Sequence, residues 1–229
     1  MKPFWQRVYD SPLHQPGLVV AMGVVALAWA WQAKRGGELR AFLRAWAAVF
    51  GAEIVVDAVL TAASSPLLPA HGGVVTALSI AFVLLGDVRA YVLAERATRP
   101  DGEARRAVIA GVVWGALVSV LMAAPARLVP AMQREPRWIF LTYECLALTQ
   151  ALVWRFGVLP RRRGVSEERA RWGRDVTGFV AAQYALWALA DVLILRGVTE
   201  GFALRLVPNV MYYGAFVGFA VARAPRGDG

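Results

Sequence analysis

Residues 39–63 read LRAFLRAWAAVFGAEIVVDAVLTAA. Such a run is long and apolar enough to be a transmembrane helix, which needs roughly 20 residues. Two carboxylates, Glu53 and Asp57, nevertheless sit in its outer half. An acid in hydrocarbon is costly unless it is paired or hydrated, so intramembrane acids mark a pathway or a site. Asp87, Glu144 and Asp191 repeat the conflict in three other apolar stretches.

The 229 residues are 58% hydrophobic and 18% charged, too apolar for one soluble domain. The chain reads as a single all-α, polytopic membrane domain over residues 1–229. Seven windows qualify as spans: Gly17–Ala33, Leu39–Ala63, Gly73–Ala94, Ala104–Ala123, Trp138–Val158, Asp175–Leu195 and Phe202–Ala222. Turn chemistry separates them, at Ser64-Ser65-Pro66, Pro69, Arg99-Pro100-Asp101-Gly102, Pro125, Pro130, Pro136 and Pro160.

Counting Lys and Arg in the connections orients the bundle. With the N-terminus outside, roughly fifteen fall on the cytoplasmic side, among them Lys34, Arg96, Arg105, Arg106 and Arg161–Arg163, against seven outside. The expected location is the cell's inner membrane, multi-pass, with the C-terminus cytoplasmic. The region before the first span is long and holds Tyr9, Asp10, Pro12 and Pro16, which favours a retained span over a cleaved signal peptide. Spans one to three and five to seven share an orientation, and Asp57 and Asp191 lie at similar depths. This pattern suggests a three-one-three parallel repeat with span four as linker.

Composition excludes several functions. Cys145 is alone, and His14 and His71 supply no zinc-ligand spacing, so neither a disulfide nor a Cys/His metal site is expected. The net charge of +9 sits largely in short loops beside apolar spans, where orientation and anionic headgroups account for it. Membrane lipids are therefore the expected partners and nucleic acid is not; a homo-oligomer stays open. Lys2 and Lys34 are the only lysines, so no retinal Schiff base can form in the last span.

The candidate site follows from helical periodicity. Glu53 and Asp57 lie one turn apart on one face, and two like charges that close cannot both ionise cheaply away from water. Tyr184, Trp187 and Asp191 share a face of span six, and Arg205, Asn209, Tyr212 and Tyr213 share one of span seven. Asp57, Glu144, Asp191, Arg205 and Asn209 all fall in the outer halves of their helices. They are expected to line one outward-facing cavity, with Arg205 as counter-ion to Asp191 or Glu144 and with Tyr143 and Tyr212 as hydrogen-bonding walls. Tyr143, Gln150 and Trp154 form a stripe that reads either as a tunnel wall or as interfacial aromatics. At the inner end, Asp87 and Arg89 lie about 200° apart around the helix. Each then needs a partner elsewhere, unless Arg89 snorkels to cytoplasmic headgroups.

Gly111-x-x-x-Gly115 and Gly214-x-x-x-Gly218 are packing motifs. Trp5, Trp29, Trp31, Trp138 and Trp172 sit near the expected interfaces. The Asp87-x-Arg89-x-Tyr91 run differs in spacing from the Asp-Arg-Tyr ending the third helix of G-protein-coupled receptors. Pro208-Asn209, with the seven-span plan, resembles SWEET-type sugar transporters. The central prolines of that family are missing from spans one, two, three, five and six, so no function is carried over.

The leading expectation is a permease or channel-like protein moving protons, a metal cation or a cationic solute through an acidic cavity. The alternatives are an intramembrane enzyme modifying a lipid or isoprenoid, and a seven-helix receptor or interaction module for an apolar ligand.

Overall fold

The structure is a computed structural model that describes residues 2–32, 37–61, 67, 73–135 and 137–225. Lys34, Ser64, Ser65, Pro66, Pro69, His71 and Pro136 lie outside these residues. No strand occurs among the described residues; the chain is all helical.

A short helix α1 (Phe4–Tyr9) and a wide turn Leu13–Leu18 lead into α2 (Val19–Gln32). Then follow α3 (Glu38–Thr61), α4 (Gly73–Ala97) and α5 (Ala104–Ala123). Two one-turn helices, α6 (Pro125–Leu128) and α7 (Pro130–Arg134), make the next connection, each opening on a proline whose missing N–H would be unpaired there anyway. The remainder is α8 (Arg137–Val153), α9 (Glu167–Leu195), α10 (Glu200–Val210), a wide turn Met211–Ala215 and α11 (Phe216–Arg223).

Among the described residues, four helical segments, Leu13–Gln32, Ala104–Ala123, Glu167–Leu195 and Glu200–Arg223, are long and apolar enough to cross a membrane. The chain is thus an all-helical membrane protein.

Local chemistry sets the ends of α9. Ser166 caps it, accepting from the Arg169 amide at 3.4 Å, and Glu167 and Glu168 complement the dipole in its first turn. The helix begins eight residues before the expected apolar window because this charged, capped turn is helical without being apolar. At the other end Gly197 (φ +79°) takes the left-handed conformation. There its amide bonds the Ile194 carbonyl and the Val198 amide bonds that of Leu193, closing a Schellman turn that sends the chain back into α10.

Consecutive long helices pack on each other, and α4 and α9 sit centrally, each touching three or more neighbours and one another. A Cβ on Gly111 or Gly115 would lie 2.5 Å from the backbone of Val92 or Val88, so this motif lets α5 approach α4 backbone to backbone. The second motif works at one position only: Gly214 faces Met22 while Gly218 faces open space. Trp172 is buried, not interfacial, because its indole N–H bonds the Ala220 carbonyl at 2.9 Å and ties α9 to α11. Trp46 likewise donates to the Arg89 carbonyl at 3.1 Å, joining α3 to α4.

The bundle end formed by the starts of α3, α5 and α9 is closed by ionic contacts. Glu95, with no exposed surface, accepts from Arg162 at 2.8 Å, Arg99 at 3.1 Å and the Trp114 indole at 3.1 Å. Arg96, equally buried, reaches Glu38 at 3.2 Å and Asp101 at 2.6 Å.

Candidate functional site

At the opposite end the helices enclose a cavity of about 160 Å³. Asp57 of α3, Glu144 of α8, and Arg205 and Asn209 of α10 all line it, as do Tyr143 and Tyr212. The structure therefore brings six of the eight expected outer residues to one space. Asp191 stands directly behind Arg205, and Glu53 lies one turn beyond Asp57.

Arg205 organises one side. Its Nη1 donates to Asp191 and, at 3.2 Å, to Glu144, and its Nε donates to the Tyr9 hydroxyl at 3.1 Å. Arg137 also reaches Asp191, at 3.1 Å. Two guanidiniums therefore offset two carboxylates here. The second oxygen of Glu144 is buried and has no hydrogen-bond partner.

The other side is organised by the wide turn Met211–Ala215. Pro208 has no N–H to give the Leu204 carbonyl, and the ladder re-forms with an extra residue three positions later. Tyr212 and Tyr213, adjacent in sequence, both reach the interior in consequence. The Tyr213 hydroxyl donates to Asp57 at 3.3 Å, and Thr61 donates to the other carboxylate oxygen at 2.7 Å. Trp187 stands 5.2 Å from Tyr212, and Tyr184 5.4 Å from Trp187, so an aromatic wall runs from α9 to Asp57.

Asp87 and Arg89 do not pair with each other. Asp87 accepts from the hydroxyls of Tyr143 and Tyr184. Arg89 does not snorkel: it is 1% exposed, because its guanidinium stacks 4.2 Å from the Tyr212 ring centroid and donates to the Tyr212 carbonyl at 2.8 Å. Gly86 makes room for this arrangement, since a Cβ there would collide with the Tyr212 hydroxyl. Glu53 is also buried, with neither carboxylate oxygen hydrogen-bonded. Of the stripe on α8, Tyr143 faces the cavity, Gln150 donates to the Trp114 carbonyl at 2.6 Å and Trp154 is fully buried, so the three form neither one tunnel nor an interfacial pair.

The N-terminal segment covers this end of the cavity. Tyr9 and Gln15 line it. His14 Nδ1 donates to the Tyr9 carbonyl at 2.8 Å, leaving Nε2 to accept from Asn209 at 3.0 Å, and the Asn209 oxygen takes the Trp187 indole N–H at 2.8 Å. The donor-only indole fixes the orientation of the amide, and the amide in turn fixes the imidazole.

Sequence reasoning did not place Tyr9, His14, Gln15 or Arg137 at the site, nor Glu95 in the interior. The first three belong to a segment with no periodicity, and Arg137 and Glu95 stand at helix ends where charge is ordinary. No group of three or more His, Cys, Asp or Glu side chains converges as a metal site among the described residues. No protein family, curated protein or solved structure matches the chain. Only the physical chemistry of the cavity therefore bears on function.

Proposed function

We propose that the chain is a seven-span membrane permease or channel-like protein, N-terminus outside, that passes a proton or a small cationic solute through the Asp57–Glu144 cavity. One observation carries this reading: carboxylates from α3 and α8, far apart in sequence and costly in hydrocarbon, converge on a shared space where one carboxylate oxygen has no protein partner. A purely structural role would be served by saturating every oxygen.

Three further helices complete the seven. α3 and α4, of 24 and 25 residues, are each long enough for a hydrocarbon core of about 30 Å, and α8 continues through Trp154–Val158. The charges in their middle stretches, Glu53, Asp57, Asp87, Arg89 and Glu144, are buried, which lowers the mean apolarity of these helices without exposing those charges to lipid. In this arrangement α5, with no charge between Ala107 and Ala123, serves as the linker between two three-helix halves. A metal cation has the least support, since three hard ligands do not converge among the described residues.

The test is flux in proteoliposomes across proton and cation gradients, comparing the native chain with Asp57→Asn, Glu144→Gln and the surface control Glu167→Gln. The reading requires flux that is lost in the first two variants and kept in the third. Native, folded protein with no flux under any gradient would end it.

A further inference from the structure

The cavity is electrostatically lopsided. On the Arg205 side, Glu144 and Asp191 are matched by Arg205 and Arg137. On the Asp57 side, three buried carboxylates, Glu53, Asp57 and Asp87, face the single guanidinium of Arg89. That half is short of two positive charges, and both oxygens of Glu53 lack a hydrogen-bond partner. Protons or a bound cation must supply the balance in a region where unpaired charge is costly.

The walls of the deficient half are aromatic. Asp57 is held by the Tyr213 hydroxyl, Tyr213 stands edge-on to Tyr212 with ring centroids 4.8 Å apart, and Trp187 lies 5.2 Å beyond. Trp187 is held in place because its indole N–H donates to Asn209, whose amide in turn donates to His14. Inorganic cations prefer rings of oxygen ligands, whereas an alkylammonium ion is bound by π-faces together with one counter-charge. The Tyr212 ring carries the Arg89 guanidinium at 4.2 Å, a contact of the same kind made from outside the cavity. The whole cavity, of about 160 Å³ and shared by both halves, is similar to the roughly 150 Å³ that admits a six-carbon ring in an apolar engineered cavity, so its Asp57 half is limited to a solute of no more than about six heavy atoms.

We infer that the Asp57 half of the cavity is a binding site for a small organic ammonium ion, with the Trp187, Tyr212 and Tyr213 rings as its walls and Asp57 as its counter-charge. This identifies the solute class and rests on the transport reading only for what happens after binding.

The test is equilibrium binding of radiolabelled tetramethylammonium to the purified full chain in nanodiscs, with tert-butyl alcohol as a neutral competitor of similar shape and with sodium and potassium as inorganic competitors. Saturable binding is expected, displaced by unlabelled tetramethylammonium and not by the alcohol or the inorganic ions. Asp57→Asn weakens it at least roughly tenfold, and Trp187→Phe, which keeps a ring but a poorer π-face, weakens it several-fold. Glu167→Gln leaves it unchanged. Absence of saturable binding to monodisperse native protein overturns the inference, as does equal displacement by tert-butyl alcohol. Should Asp57→Asn fail to fold, unaltered affinity in Trp187→Phe would overturn it. Proton flux without tetramethylammonium binding removes this assignment and leaves the transport reading standing; binding without flux does the reverse.

Discussion

Arg205 and Asp191 are joined by an ion pair across the α9–α10 hairpin, with the carboxylate fully buried and the guanidinium nearly so. The hairpin's Schellman turn at Gly197 brings the two helices together, and Arg137 and Glu144 extend the pairing to α8. Three helices are therefore joined through one guanidinium, with Arg137 as the second positive charge.

Removing that guanidinium strands Glu144 and leaves Asp191 to the partly solvated Arg137 alone. Arg205→Met is expected to destabilise the protein by about 3–5 kcal/mol, the usual range when one partner of a buried pair is deleted. Asp191→Asn costs less, because Arg205 keeps Glu144 and Arg137 is partly solvated. Thermal or denaturant unfolding in detergent reads both, and the order of the two variants is the decisive result.

The approach of α5 to α4 gives a steric prediction. A side chain at Gly111 meets Val92 backbone atoms, which cannot rotate away, so Gly111→Val is expected to cost at least about 1–3 kcal/mol through overpacking. Gly218→Ala, with nothing within 4 Å of the added Cβ, is expected to cost nothing and to gain up to about 1 kcal/mol from helix propensity. Equal effects in an unfolding series would mean that the two helices are not in close contact.

How far the sequence discloses this arrangement depends on periodicity. Asp57, Glu144, Arg205 and Asn209 stand in long apolar runs, where a polar residue is conspicuous and the helical repeat tells which neighbours share its face. Which helices adjoin is a tertiary property, and so the Tyr143 and Tyr184 bonds to Asp87, or the Arg89 stack on Tyr212, could not be read in advance. Snorkelling was the cheap option for Arg89 on an isolated helix; in the bundle, Gly86 opens a slot for Tyr212 that holds the guanidinium inside. The wide turn at Met211–Ala215 was equally hidden, because Pro208 signals a disturbed helix and not the extra residue that turns two tyrosines inward.

Asp101 provides a pH test outside the membrane-spanning segments. Its carboxyl accepts from Arg169 at 2.5 Å and Arg96 at 2.6 Å, and these contacts hold it below its ordinary value of 3.8. A depressed folded-state value means that the stabilisation is complete above that ordinary value and is lost as pH falls below it toward the folded one. The midpoint advantage of the native chain over Asp101→Asn is therefore expected to be flat from about pH 8 to pH 5 and to shrink by about pH 3. The carboxylate is half exposed, so roughly 1 M salt should reduce the advantage throughout. An advantage that grows on acidification would contradict the assigned contacts.

The N-terminal segment lies against the cavity and is held there by few hydrogen bonds. His14 holds both the Tyr9 carbonyl and Asn209, and Tyr9 in turn holds Arg205, so the segment is pinned to α10 by side chains within six residues of one another. Such a cover opens locally with a free energy set by those bonds. His14→Ala deletes one of the two hydrogen bonds that reach α10, worth about 0.5–1.5 kcal/mol, so the open fraction should rise by roughly two- to tenfold. A cysteine placed by Tyr213→Cys in a Cys145→Ser background reports this directly, since its reaction with a charged methanethiosulfonate reagent requires an open cavity. Reaction several-fold faster in the His14→Ala background, at unchanged global stability, is the expected result. An unchanged rate would show that solutes reach Asp57 by a route that does not pass the N-terminal segment.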